Sequence, residues 1–129
     1  MVKDSGDYTI ERRIKLALES FLKLAGWTVQ NDLYIAHGID VEATRGYEHW
    51  IIQVRGAQLT TATPAVSFIA SLGKILQRMD SSDCKYSVAF PDTEPFRRLW
   101  ERLPLLAKER TGITALFVNP GGLVSEAVI

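Results

Sequence analysis

The spacing of apolar residues along the chain predicts two long helices separated by a group of strands. Between residues 8 and 25 apolar side chains recur every three or four positions, the period of an amphipathic helix, and Gly26 follows as its end. A second helix is expected to begin at Thr63 and Pro64, a capping threonine followed by a first-turn proline, and to end near Asp80. Its expected buried stripe is Ile69, Leu72, Ile75, Leu76 and Met79.

Short segments rich in β-branched and aromatic residues predict the strands. After the second helix we expect a strand, a helical stretch from Pro95 to Gly112 that Pro104 divides, and two further strands. The expected strands are 27–34, 38–44, 49–55, 85–90, 113–118 and a short last one from residue 123. A strand, helix, strand passage returns parallel to the same sheet. The order αβββαβαβ plus a short C-terminal strand therefore predicts an α/β fold with a mixed sheet flanked by helices.

The turn between the second and third strands predicts their register. Gly46 can adopt the positive φ that a type II′ turn needs at its first central position, so we expect Gly46 and Tyr47 at the hairpin tip. Counting outward pairs Asp40 with Gln53, about 5 Å apart on one face. Arg55 shares that face. We therefore expect one apolar core face and one polar face. One interpretation of the polar face is an ion pair between Asp40 and Arg55, which would give both residues a purely structural role.

Length and composition indicate one globular domain spanning residues 1–129. Fifteen basic and fifteen acidic residues cancel, so any site for a polyanion has to be local. No apolar run reaches the roughly 20 residues of a membrane span, and no Gly-rich phosphate loop or dinucleotide fingerprint is present. With Cys84 as the only cysteine, these features predict a cytoplasmic protein with no membrane partner and no small-molecule cofactor.

The segments Gly38–Ala43 and Trp50–Gly56 resemble the core of the PD-(D/E)XK restriction-endonuclease-like superfamily, and the order of elements is similar as well. In that family an aspartate on the second strand, and an acidic residue two places before a lysine on the third, assemble a divalent-metal site for phosphodiester cleavage. Asp40, Gln53 and Arg55 stand at these positions. Glutamine at the acidic position is also a feature of Mrr-like members.

This resemblance implies a metal-dependent endonuclease-like function on DNA. Asp40 and the Gln53 amide would hold magnesium, with manganese as the alternative. Arg55 would contact the scissile phosphate. Because an arginine stays protonated and cannot act as a base, its role would be electrostatic. Glu11 resembles the family's helix-borne glutamate, and a first-turn helix charge is its other interpretation. A homodimer is implied because cutting two strands needs two sites. The alternative function is a non-catalytic module that keeps the fold and binds nucleic acid or a protein.

Further polar residues extend the candidate DNA surface. Four residues recur at helical spacing opposite the apolar stripe of the second helix: Ser67, Ser71, Lys74 and Arg78. We expect Lys74 and Arg78, together with Gln58, to contact nucleic acid. A basic surface is expected on the first helix from Arg12, Arg13, Lys15 and Lys23. A solvated surface without a ligand is the alternative for each group.

Overall fold

The computed structural model describes residues 6–30, 40–54 and 63–129 of the chain. Its helices are α1 (Gly6–Leu24), α2 (Pro64–Gln77), α3 (Glu94–Arg102) and α4 (Leu105–Thr111). Its strands are β1 (Thr28–Gln30), β2 (Asp40–Arg45), β3 (Glu48–Val54), β4 (Cys84–Pro91), β5 (Thr114–Val118) and β6 (Val124–Ala127). This is the predicted order, with Pro104 between α3 and α4. Within these ranges no helix is long and apolar enough to cross a membrane.

The ends of the helices follow signals that the sequence carries. Thr63 caps α2, since its hydroxyl oxygen accepts a hydrogen bond from the Val66 N–H at 3.2 Å and Pro64 occupies the first turn. Gly112 ends α4 with a φ of +69°, and Gly26 follows α1 with a φ of +89°. Both glycines adopt the left-handed conformation that terminates helices at little steric cost.

The six strands form one mixed sheet in the order β1-β2-β3-β4-β5-β6. The β1-β2-β3 meander is antiparallel, β3-β4-β5 is parallel, and β6 is antiparallel to β5. The predicted mixed α/β sheet flanked by helices is confirmed. We call the end at which β3, β4 and β5 finish, with Val54, Pro91 and Val118, the carboxyl end of the sheet. Because β2 runs antiparallel to β3, it begins at this end with Asp40.

Apolar side chains cover both faces of the sheet. On the α1 face they are Ile14, Leu18, Leu22, Trp27, Val41, Ala43, Trp50, Ile52, Val54, Ala89, Leu116 and Val118. On the face covered by α2 and α3 they are Ile51, Phe68, Ile75, Tyr86, Val88, Phe90, Phe96, Trp100, Ile113, Ala115 and Phe117. Ile51 alternates along β3 with Ile52, so the expected polar face is in fact a second core. The prediction of one polar face is wrong because two helices pack on it.

The orientation of α2 differs from the one that its apolar spacing predicts. Ser67 and Ser71 are buried, at 7% and 2% exposure, together with Ile75. Ile69 and Leu76 are instead 67% and 49% exposed. The helix carries apolar residues around most of its circumference, so their spacing alone does not determine the inner face. The serines are small, which lets this side of the helix lie close to the sheet.

Candidate active site

The β2–β3 hairpin has the register that its turn predicts. Gly46 adopts a φ of +61°, and no non-glycine residue in the described ranges has a positive φ, as a type II′ tip requires. The ladder runs from Arg45 opposite Glu48 at the tip to Asp40 opposite Gln53 at the carboxyl end of the sheet. The predicted register is therefore confirmed, and it brings the two positions of the candidate metal pair together.

Gln53 is buried within this hairpin. Only 2% of the residue is exposed, and its Nε2 donates a hydrogen bond to the Val54 carbonyl oxygen at 3.3 Å. This bond uses the amide NH2 group within the protein. The carbonyl oxygen Oε1 is then the end of the amide that can accept a cation. Magnesium accepts such an oxygen, although an amide contributes no negative charge.

Two charged residues are buried on α1. Glu11 and Lys15, one helical turn apart, are 2% and 4% exposed. Ionised groups persist in such surroundings only when charges or hydrogen bonds compensate the loss of water, which makes the two residues candidates for a functional role. The prediction that Lys15 contributes to a basic surface is wrong, whereas Arg12 and Arg13 are exposed.

The sequence did carry a signal for this burial. Glu11 and Lys15 share one helical stripe with Ile14 and Leu18, which are core residues. A charged residue within an apolar stripe indicates a buried charge, whereas one on the opposite side of the helix is usually solvated. The interpretation of Glu11 as a first-turn helix charge is wrong, because Glu11 is the sixth residue of α1 and is buried.

Arg78, one of the expected DNA contacts, forms a partly exposed ion pair with Glu42. Its Nη2 is 2.7 Å from Glu42 Oε2, and the two side chains are about one-third exposed, at 35% and 33%. His49 Nε2 lies 3.8 Å from the other Glu42 oxygen. The pair connects the end of α2 to β2. Lys74, the other expected contact on this helix, is half-buried.

A second carboxylate, Asp92, follows β4 at the carboxyl end of the sheet. Its N–H donates to the Val118 carbonyl at 2.8 Å, and its carboxylate accepts from Arg97 Nε at 2.7 Å and Nη2 at 3.0 Å. The Arg97 guanidinium holds the pKa of Asp92 below its ordinary value. Sequence reasoning missed this bidentate pair, because the turn between the strand and α3 creates it. Asp92 therefore has a structural partner already.

The candidate metal site consists of two positions, Asp40 and Gln53. Arg55, Gln58 and the side chain of Asp40 lie outside the described residues. Within residues 6–30, 40–54 and 63–129, no three His, Cys, Asp or Glu side chains are grouped to hold a metal ion. A carboxylate and an amide oxygen nevertheless suit magnesium, which keeps several waters and uses substrate phosphates as further ligands. The donor types of these two residues are therefore ones that this ion accepts.

The element order, the mixed sheet and the β2–β3 register define a restriction-endonuclease-like α/β fold. Two solved structures are similar to it. An FdxN element excision controlling factor protein from Anabaena variabilis superposes with a TM-score of 0.64 at 14% identity, covering 92% of this chain and 99% of that one. For an XisH family protein from Nostoc punctiforme PCC 73102 the TM-score is 0.61 at 17% identity, with 92% and 98% covered. No family model and no curated protein matches the sequence.

Proposed function

We propose that this protein is a metal-dependent endonuclease-like protein that acts on DNA phosphodiesters. The observation that carries the proposal is the pairing of Asp40 with Gln53 at the carboxyl end of a nuclease-like fold. Ligands of α/β folds bind outside the carboxyl ends of parallel strands. The name of one structure with this fold refers to the control of element excision, which agrees with DNA as the substrate class.

Each residue of the candidate site has a role that follows from the chemistry of its side chain. Asp40 and the Gln53 carbonyl oxygen would hold magnesium or manganese, which would lower the pKa of a bound water and neutralise charge on the phosphate. The bond from Gln53 Nε2 to Val54 fixes the amide, so its oxygen needs little reorganisation to bind. Arg55, two residues further along, remains protonated and stabilises the charge that develops on the phosphate. Glu11 supplies a further buried carboxylate from α1.

Plasmid nicking in the presence of magnesium or manganese tests this function. The parent protein should nick supercoiled DNA with either metal and not with EDTA, and Asp40→Asn, which keeps shape but removes the charge, should abolish nicking. Glu48→Gln is the matched control, because Glu48 is an exposed acidic residue at the far end of the same hairpin, paired with Arg45. Absence of nicking at high protein concentration, together with no heat or NMR response to magnesium, would refute the proposal.

A non-catalytic module that retains the fold and binds nucleic acid or a protein is the second candidate. The neutral amide of the buried Gln53 favours this candidate, because one carboxylate and one amide bind a metal more weakly than two carboxylates do. The double variant Gln53→Glu with Arg55→Lys separates the candidates. A site that already cleaves should gain little from it, whereas an inactive descendant should acquire metal-dependent nicking.

A further inference from the structure

A groove lies between α1 and the turn that joins β5 to β6. It has a volume of about 440 Å³, within the range of roughly 300–1,000 Å³ that small-ligand sites occupy. The lining includes Arg13, Ile14 and Ser20 from α1, and Pro91, Val118 and Asn119 from the carboxyl end of the sheet. The groove opens at the carboxyl end of the sheet, on the α1 face, and is separate from the Asp40–Gln53 pair.

The lining of the groove combines an apolar floor with a polar rim. Ile14 and Val118 are buried core residues, 2% and 5% exposed, and form the floor. Ser20 and Asn119 provide hydrogen-bonding groups, and Arg13 is the one charged residue among the described lining residues. With a cation and no carboxylate in the lining, the groove favours an anion that also carries a flat apolar group. A nucleotide has both parts, a phosphate and a base with a π-face.

The strand ladder gives the distance from the groove to the candidate metal pair. Gln53 is paired with Val88 of β4, and the groove residue Pro91 lies three residues further along that strand. With about 3.3 Å per residue along a strand and about 4.8 Å between strands, the backbone positions of Gln53 and Pro91 are about 11 Å apart within the sheet. This distance corresponds to about three base-pair steps along the axis of duplex DNA, at 3.4 Å each. Gln53 lies on the face of β3 that carries Ile51, whereas the groove lies on the α1 face, so a DNA strand that reaches both has to cross the carboxyl end of the sheet.

We propose that this groove binds one nucleotide of the DNA strand that passes the Asp40–Gln53 pair. The base lies on the apolar floor, and Arg13 contacts the phosphate. Gly121 and Gly122 on the opposite rim have no side chains that restrict access. The choice of DNA rests on the proposed function, whereas the site itself rests on the lining and position of the groove.

Fluorescence anisotropy with a short labelled single-stranded oligodeoxynucleotide tests the proposal, and EDTA keeps binding separate from cleavage. Arg13→Gln should weaken binding about tenfold, as expected for a lost charged hydrogen bond, and should reduce the salt slope by about one. Arg110→Gln is the matched control, because Arg110 is an exposed cation in the last turn of α4 that does not line the groove. It should change the affinity less than twofold. Equal losses in both variants, or no loss in either, would overturn the proposal.

A second variant tests the groove without changing charge. Ser20 is an exposed lining residue, so Ser20→Phe should block the groove and leave the fold intact, as circular dichroism would verify. In the parent protein the NMR signals of the Gly121 and Gly122 amides should shift when the oligonucleotide is added. Unchanged affinity in folded Ser20→Phe, or unshifted amide signals, would contradict the assignment.

The results also distinguish this proposal from the proposed function. If the parent protein nicks DNA with magnesium while Arg13→Gln binds as well as the parent does, the groove assignment fails and the nuclease proposal stands. If Arg13→Gln and Ser20→Phe lose binding but no variant or condition yields nicking, the groove is a nucleotide site on a non-catalytic module. The binding data and the cleavage data therefore answer separate questions.

Discussion

Replacing Gln53 by glutamate would place a carboxylate where the structure has almost no solvent. Gln53 is 2% exposed, and the change also removes the donor to the Val54 carbonyl. Burial can raise a carboxyl pKa by up to 3–5 units. A rise of about 2 units above the ordinary value near 4.3 costs about 2.7 kcal/mol at neutral pH, and the lost hydrogen bond adds about 1 kcal/mol. We expect Gln53→Glu to lower the free energy of unfolding by about 3–4 kcal/mol at pH 7 without metal.

The sign of the pH dependence follows from the direction of this shift. A carboxyl whose pKa is raised in the folded state destabilises the protein fully above that raised pKa. The penalty disappears as the pH falls below the unfolded value near 4.3. The difference in unfolding free energy between Gln53→Glu and the parent should therefore shrink as the pH is lowered from about 7 to about 4. Gln53→Met is the control, since it loses the hydrogen bond but gains no charge and should cost a constant amount over this range.

Urea denaturation with EDTA or magnesium measures these effects. A metal that binds only the folded state adds about 2.7 kcal/mol at 100 times its dissociation constant. Magnesium should therefore stabilise Gln53→Glu more than the parent protein, and should not stabilise Gln53→Met. If the glutamate and methionine variants lose the same unfolding free energy at pH 7, the side chain at position 53 is accessible to water. A glutamate variant that does not respond to magnesium would refute the assignment of Asp40 and Gln53 as a metal pair.

Two predictions concern stability elsewhere in the fold. A Cβ would meet nothing within 4 Å at either Gly73, inside α2, or Gly122, whose φ is +91°. In thermal unfolding Gly73→Ala should therefore stabilise by about 0.5–1 kcal/mol, and Gly122→Ala should destabilise by about 1–2 kcal/mol; shifts of the same sign would contradict this reasoning. Because Arg97 lowers the pKa of Asp92, this pair stabilises the fold above the unfolded pKa near 3.9 and stops doing so as the pH falls through the lower folded value. The stability advantage of the parent over Asp92→Asn in urea should shrink from pH 6 to pH 2, and a constant difference would count against the pair.

The sequence by itself determined the features that depend on residues close together in the chain. Gly46 predicted the hairpin tip, and because strand pairing advances by one residue on each side, counting from it predicted Asp40 opposite Gln53. Thr63 and Pro64 predicted the beginning of α2 through its cap. Each inference needs only local backbone geometry and a few neighbouring residues. The roles of Asp40 and Gln53 in chemistry stay predictions.

Only the tertiary structure decided which surfaces meet. It buries Ser71 and exposes Ile69 on α2, because the fit of the helix against the sheet selects the inner face when most faces are apolar. It buries Lys15, and it joins Arg78 to Glu42 across 36 residues of sequence. The groove beside α1 likewise needs the β5–β6 turn to lie against a distant helix. Such features depend on many contacts formed together, so no local pattern in the sequence determines them.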